Sequence, residues 1–361
     1  MKHADEFRDP QLTRNLARAI TAASRKPVRF MELCGTHTMA IARHGLLEML
    51  PPTVELVSGP GCPVCVTATE EIDRAVKLAR QPGVVVATFG DLLRVPGSQS
   101  SLARERAAGA KVEIVYSPLD ALELAKRQTA SQVVFLGIGF ETTAPTVAAA
   151  MAMAKNQGLL NFSVLAAHKL LPPAMEALLT GPSLGLHGFI CPGHVTTVIG
   201  TAAYEEVVAR HGLPCVVAGF EPADILATLL MLVKQAEAGQ ARVEIQYRRA
   251  VSPQGNPQAR EMMNQVFQPV DAAWRGLGVI PQSGLEPGPD YRELDARRRF
   301  DLEVPPAHDP PACRCGDVLR GLCRPPDCKL FAAVCTPTQP VGPCMVSQEG
   351  TCAAWFKYRR A

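Results

Sequence analysis

The stretch VRFMELCGTHTMAIARHGLLEMLPPTVELVSGPGCPVCV (28–66) decides the fold. Two short apolar runs, VRFMEL and VELVSG, flank a longer segment whose apolar residues recur at helical spacing. That is the pattern of parallel strands joined by a covering helix. The alternation continues to about Tyr247, with further strands expected at VVVATF (84–89), VEIVYS (112–117), VVFLGI (133–138), FSVLAA (162–167), GFIC (188–191) and CVVAGF (215–220). Eight strands are many for one open sheet. Pro118 to Ser131 offers a seam, giving expected α/β domains over 28–125 and 126–248, each with about four parallel strands. GFETTAP (139–145) and GFEPAD (219–224) share a Gly-Phe-Glu turn, too short a likeness to establish duplication.

Composition sets the outer bounds. In 361 residues, 47% are hydrophobic and 20% charged, with mean hydropathy +0.06, enough apolar material to exclude disorder over most of the length. A net charge of +3 with 5% aromatics argues against nucleic-acid binding, which needs a basic stripe and stacking rings. No apolar run reaches the length of a membrane helix; the richest, Ala144 to Ala154, contains Pro145 and stops at Lys155. The amphipathic N-terminus lacks the apolar core of a secretion signal, so a cytoplasmic location is expected. There thiols stay reduced, and twelve cysteines point to metal ligation or transient redox chemistry rather than stable disulfides.

Seven of those cysteines lie in ACRCGDVLRGLCRPPDCKLFAAVCTPTQPVGPCMVSQEGTCAAW (312–355). Inert packing does not account for so dense a set. No pair of Cys-x2-Cys knuckles appears here, so iron–sulfur ligation is favoured over zinc, with the choice of ligands left open by spacing alone. Pro, Gly and Arg become dense after Gln246, and a small irregular domain of 249–361, with 1–27 assigned to it, is expected.

A second set is N-terminal. Cys34 follows the first strand, and Cys62 and Cys65 follow the next. In open α/β sheets ligands bind beyond the carboxyl ends of the strands, so these loops bring three thiols to one rim. The Cys62/Cys65 spacing suits a soft metal or thiol–disulfide exchange. His37 could act as base, ligand or hydrogen-bond donor, or cap the following helix. Asp91 could orient His37 or a ligand, or serve as an N-cap. Glu141, Thr142 and Thr143 sit at a strand–turn–helix junction, with Thr142 or Thr143 the natural N-cap and Pro145 in the first turn. In CPGHV (191–195), Cys191 and His194 form a weak metal signal, and Cys191 and Cys215 are expected in the core. There is no GxxxxGK[ST], so no nucleotide loop of that kind is expected.

CGTHT (34–38), GPGCPVCV (59–66), GFETTAP, CPGHV and TPTQPVGPCMVSQEGTCAAWFKY (336–358) together resemble the hydrogenase maturation factor HypD family, over residues 28–358. The resemblance implies two similar α/β domains facing a cleft and a third carrying a 4Fe-4S cluster. It implies a scaffold on which iron gains cyanide and carbon monoxide before delivery to NiFe hydrogenase, with a HypC-type chaperone and a HypE-type cyanide donor as partners. The family's C-x14-C-x6-C-x16-C pattern falls on Cys313, Cys328, Cys335 and Cys352. Its thiol pair beside the cluster falls on Cys315 and Cys344, leaving Cys323 without a role. Its iron-binding thiols fall on Cys34, Cys62 and Cys65, with His37 and Asp91 among its motif residues. Two competing readings are a free-standing iron–sulfur thiol–disulfide oxidoreductase and a structural adaptor stapled by its cluster.

Overall fold

The computed structural model describes residues 5–307 and 309–359; residues 1–4, 308, 360 and 361 of the expected third domain lie outside the described residues. Its strands are β1 (Val28–Glu32), β2 (Val54–Ser58), β3 (Val84–Thr88), β4 (Val112–Ile114), β5 (Gln132–Gly137), β6 (Phe162–Ala166), β7 (Gly188–Pro192), β8 (Cys215–Ala218), β9 (Val243–Ile245), β10 (Phe267–Trp274) and β11 (Gly278–Pro287). Two parallel sheets result, in the orders β2-β1-β7-β8-β9 and β4-β3-β5-β6. The protein is therefore α/β, with two similar parallel-sheet lobes and a cysteine-rich C-terminal region. Helices cover both faces of the sheets, which is why β3, β6, β7 and β8 are buried throughout and read as largely apolar runs.

The lobes are not consecutive in sequence. β5 pairs with β3, so the seam expected between Pro118 and Ser131 falls inside one sheet, and domain boundaries of 28–125 and 126–248 cut across both lobes. Instead the chain leaves the first sheet after β2, builds the whole second sheet, and returns at β7 beside β1. The physical reason is pairing: β1 has a free edge until β7 fills it, and sequence order does not reveal which strand will. The helix Pro10–Ala23 buries Ala17 and Ile20 against Ile225, Leu229 and Leu232 of the helix Pro222–Ala238, so it belongs to the first lobe rather than to the cysteine-rich region.

β10 and β11 form an antiparallel hairpin that was not expected, with a bulge at Val270/Ala272. Pro269 and Pro281 argue against strands there, and the bulged, half-exposed ladder tolerates them. The hairpin ties the lobes together: Arg275 N–H donates to Val66 O at 2.8 Å, and Leu170 N–H to Ser283 O at 2.9 Å.

Candidate functional site

Each lobe has its second strand at one edge, its first inside, and later strands beyond, so the direction of winding reverses between β1 and β7 and again between β3 and β5. Ligands in such sheets bind at that reversal, off the carboxyl ends. In the first lobe it brings together CGTHT and CPGHV. In the second it brings together Asp91 and GFETTAP. The two Gly-Phe-Glu turns occupy non-equivalent positions, following β5 and β8, and mark no repeat.

Cys34 is the residue before the helix Gly35–Arg43, buried at the end of β1. The second thiol loop lies directly on it. Gly35 N–H donates to Gly61 O at 2.9 Å, and a Cβ on Gly61 would stand 2.2 Å from Cys34 N. Cys62, at the N-cap of the short helix Pro63–Val66, and Cys65, within it, are joined as a disulfide with Cα atoms 5.2 Å apart. The expected convergence of two neighbouring loops is thus present, and only glycine at 61 permits it.

Glu32, which the sequence reading passed over as a strand residue, holds this loop from beneath. Its carboxylate accepts from Cys34 N–H at 2.9 Å and from the Thr38 hydroxyl. Burial raises its pKa to about 8 against the lowering by these donors. Burial, with a lesser push from Glu349 and Glu32, raises Cys34 to about 12, while the N–H groups of His37 and Thr36 oppose the rise. His37 turns away from the thiol. Its Nε2 meets Gly219 O at 2.9 Å and its ring stacks on Phe220, which also stacks on His194 at 3.8 Å between centroids. Burial lowers His37 to about 4, so the ring is neutral and ties CGTHT to the GFEPAD turn and CPGHV.

Asp91 does not reach His37 or cap a helix with its side chain; it accepts from the Ser347 hydroxyl at 3.2 Å. Glu141 is buried, accepts from Leu171 N–H at 2.8 Å, and is raised to about 7 by burial. Thr143 precedes the helix Ala144–Asn156 but its hydroxyl bonds Phe140 O rather than capping, with Pro145 in the first turn; Thr142 is exposed. Cys191 and Cys215 are fully buried neighbours in the core, as expected.

The tail closes over the rim. Thr36 donates to Glu349 at 2.6 Å, and a Cβ on Gly35 would stand 2.6 Å from Glu349 Cβ. The turn Pro343–Met345 packs on Pro63–Val66, and the helix Thr351–Tyr358 on Gly35–Arg43. Glu349 and Ser347 could not be found from sequence, because each contacts a partner more than 250 residues away.

Within the tail, Cys313, Cys315, Cys328, Cys335 and Cys352 line one apolar pocket with Leu330, Phe331 and Met345. Gly342 borders it, and a Cβ there would lie 2.7 Å from Cys313 Sγ and 2.6 Å from Cys315 Sγ. Cys344, fully buried, faces Cys315 and Cys352. Cys323 lies elsewhere, on a separate pocket with Arg29, Glu32 and Trp355. Among the described residues no three His, Cys, Asp or Glu side chains stand arranged to hold a metal ion. The donor set nonetheless fits an iron–sulfur group in its chemistry, since soft thiols gather at a pocket without competing carboxylates.

A family profile described as "HypD: Hydrogenase formation hypA family" matches residues 11–359. The chain belongs to the HypD family. It is similar over its full length to hydrogenase maturation factor HypD2 of Bradyrhizobium diazoefficiens, at 48% identity covering 97% of that protein. The HypD of Azotobacter vinelandii is also 48% identical, over 97% of its length, and that of Escherichia coli 45%, over 99%. This HypD-family chain therefore has a role in NiFe hydrogenase maturation. No helix among the described residues is long and apolar enough to cross a membrane.

Proposed function

We propose that this HypD-family protein acts in the cytoplasm as the scaffold on which iron receives cyanide and carbon monoxide during NiFe hydrogenase maturation. The observation that carries this is the rim itself: the CGTHT loop, the Cys62–Cys65 pair and the Cys344 turn are packed on one another. Iron is the cargo. Cys34, with a thiolate from a HypC-type chaperone, holds it, because soft thiolates suit iron bearing strong-field ligands. A HypE-type protein delivers the cyanide. Glu32 and the first N–H groups of Gly35–Arg43 fix the Cys34 loop, and His37 braces it through Phe220 against His194. Asp91 and Glu349 latch the tail across it.

The paired thiols serve as a two-electron store. Opening the Cys62–Cys65 bond takes up two electrons and two protons, and closing it returns them. Cys344, on the turn packed against Pro63–Val66, and Cys315 would exchange with it: one thiolate attacks the bond, a mixed disulfide forms, and the second thiol resolves it, leaving 315–344 oxidised and 62/65 reduced. Cys313, Cys328, Cys335 and Cys352 would hold a 4Fe-4S cluster, which when bound supplies electrons singly.

Infrared spectroscopy after anaerobic purification with the HypC-type partner tests the reading. Bands of metal-bound cyanide and carbon monoxide are expected, and are expected to vanish in Cys34→Ala while cluster absorbance persists. Their absence from wild-type protein with an intact, reducible cluster would favour the thiol–disulfide oxidoreductase instead.

A further inference from the structure

A pocket of about 560 Å³ opens between the helix Thr69–Ala79, the end of β6 and the β10–β11 hairpin, and no cysteine lines it. Its wall carries Glu71, Arg74, His168, Lys169 and Arg297. Lys169 is only 3% exposed, yet its ammonium makes no hydrogen bond or salt bridge among the described residues. His168 beside it is fully buried with neither ring nitrogen partnered. Burying an ammonium is costly unless a counter-charge answers it, and the one carboxylate at the centre is already shared. Glu71 accepts from Arg74 at 2.9 Å and from Arg297 at 2.6 Å. Three cations thus surround one carboxylate.

The acids farther out are turned to other bonds. Glu70 accepts from Ala307 N–H at 3.0 Å, Asp271 from Gln282 N–H at 3.0 Å, and Glu286 from the Gln268 amide at 2.6 Å. Arg297 commits only Nη2, to Glu71 and to Ala166 O, leaving the rest of its fork for a planar or tetrahedral oxyanion. Burial lowers Lys169 to about 8; Glu71 opposes the fall, while Arg297 and Arg74 add to it, as expected of a cation that shares its one counter-charge with two others.

We propose that this pocket binds a small anionic metabolite through a carboxylate or phosphate head, with Lys169 and Arg297 gripping the head and the His168 ring available as a further hydrogen-bond partner. Such a site uses none of the thiols proposed to hold iron and does not depend on the scaffold reading.

The test is calorimetric titration of the purified full-length protein with inorganic phosphate, bicarbonate and acetate separately. Lysine-specific reductive methylation read by mass spectrometry runs in parallel. Saturable binding of at least one anion is expected, weakened by about tenfold or more in Lys169→Met and Arg297→Gln. Lys169 labelling is expected to fall several-fold when that anion is present. Response to phosphate alone identifies a phosphoryl head, and response to acetate or bicarbonate a carboxylate. Should Lys169→Met not fold, Arg74→Gln, on a partly exposed side chain, carries the same comparison. Absence of binding by all three anions, or equal binding in a folded variant, or labelling indifferent to the anion, would overturn the proposal.

Discussion

Gly61→Ala probes the contact on which the rim is built. The added Cβ would stand 2.2 Å from Cys34 N, 2.4 Å from Leu33 C and 2.5 Å from Cys34 Cα. All three are backbone atoms, so no side-chain rotation relieves the overlap and the loops must separate. Overpacking of this kind costs about 1–3 kcal/mol. Separation also breaks the 2.9 Å bond from Gly35 N–H to Gly61 O, worth about 1 kcal/mol. A loss of about 2–4 kcal/mol follows, a large part of a typical stability of roughly 5–15 kcal/mol. Anaerobic urea unfolding followed by circular dichroism reads the loss, and the rate of Cys34 alkylation, expected to rise, reads the separation. Gly90→Ala is the control, since a Cβ there meets only Ile114 Cγ2 at an ordinary 3.8 Å. A Gly61→Ala protein within about 0.5 kcal/mol of wild type, with unchanged Cys34 reactivity, would refute the close seating of the two loops.

Glu141 carries a pH dependence. Its folded pKa of about 7 lies above its ordinary value of 4.5, so the folded state holds the extra proton, and the stability it contributes is full below pH 4.5 and lost as pH rises through 7. Glu141→Gln, which keeps an acceptor for Leu171 N–H, is expected to flatten that part of the urea-midpoint profile; an unchanged slope between pH 4.5 and 7 would show that the carboxyl is ionised throughout. Asp224, fully buried, accepts from Arg249 at 2.5 and 2.8 Å and from the Gln246 amide at 2.8 Å. Asp224→Ala leaves that guanidinium without its partner and is expected to cost about 3 kcal/mol or more in urea unfolding. A loss under about 1 kcal/mol would mean that water takes the place of the carboxylate.

Several features of the candidate site were legible because they are local. A strand followed by a glycine turn and a helix places Cys34, Cys62, Asp91, Glu141 and His194 at strand ends whatever their neighbours are. The partners of those residues were not legible. His37 reads equally as base, ligand or cap, and its stacking on Phe220 depends on β8 lying two strands from β1 in the first sheet. Asp91 shows nothing in its own loop that would predict Ser347.

What the sequence by itself determined is the class of each segment: apolar runs for doubly covered strands, glycines where loops must touch, and a thiol-dense tail without periodicity. These follow from side-chain chemistry within a few residues. Only the tertiary structure decided that β7 rather than β3 completes the sheet beside β1, that an antiparallel hairpin with three prolines clips the lobes, and that Glu349 closes over Gly35. Each of those depends on which edge, surface or cavity remains open after the rest of the chain has packed, a property of the assembled whole and not of any stretch within it.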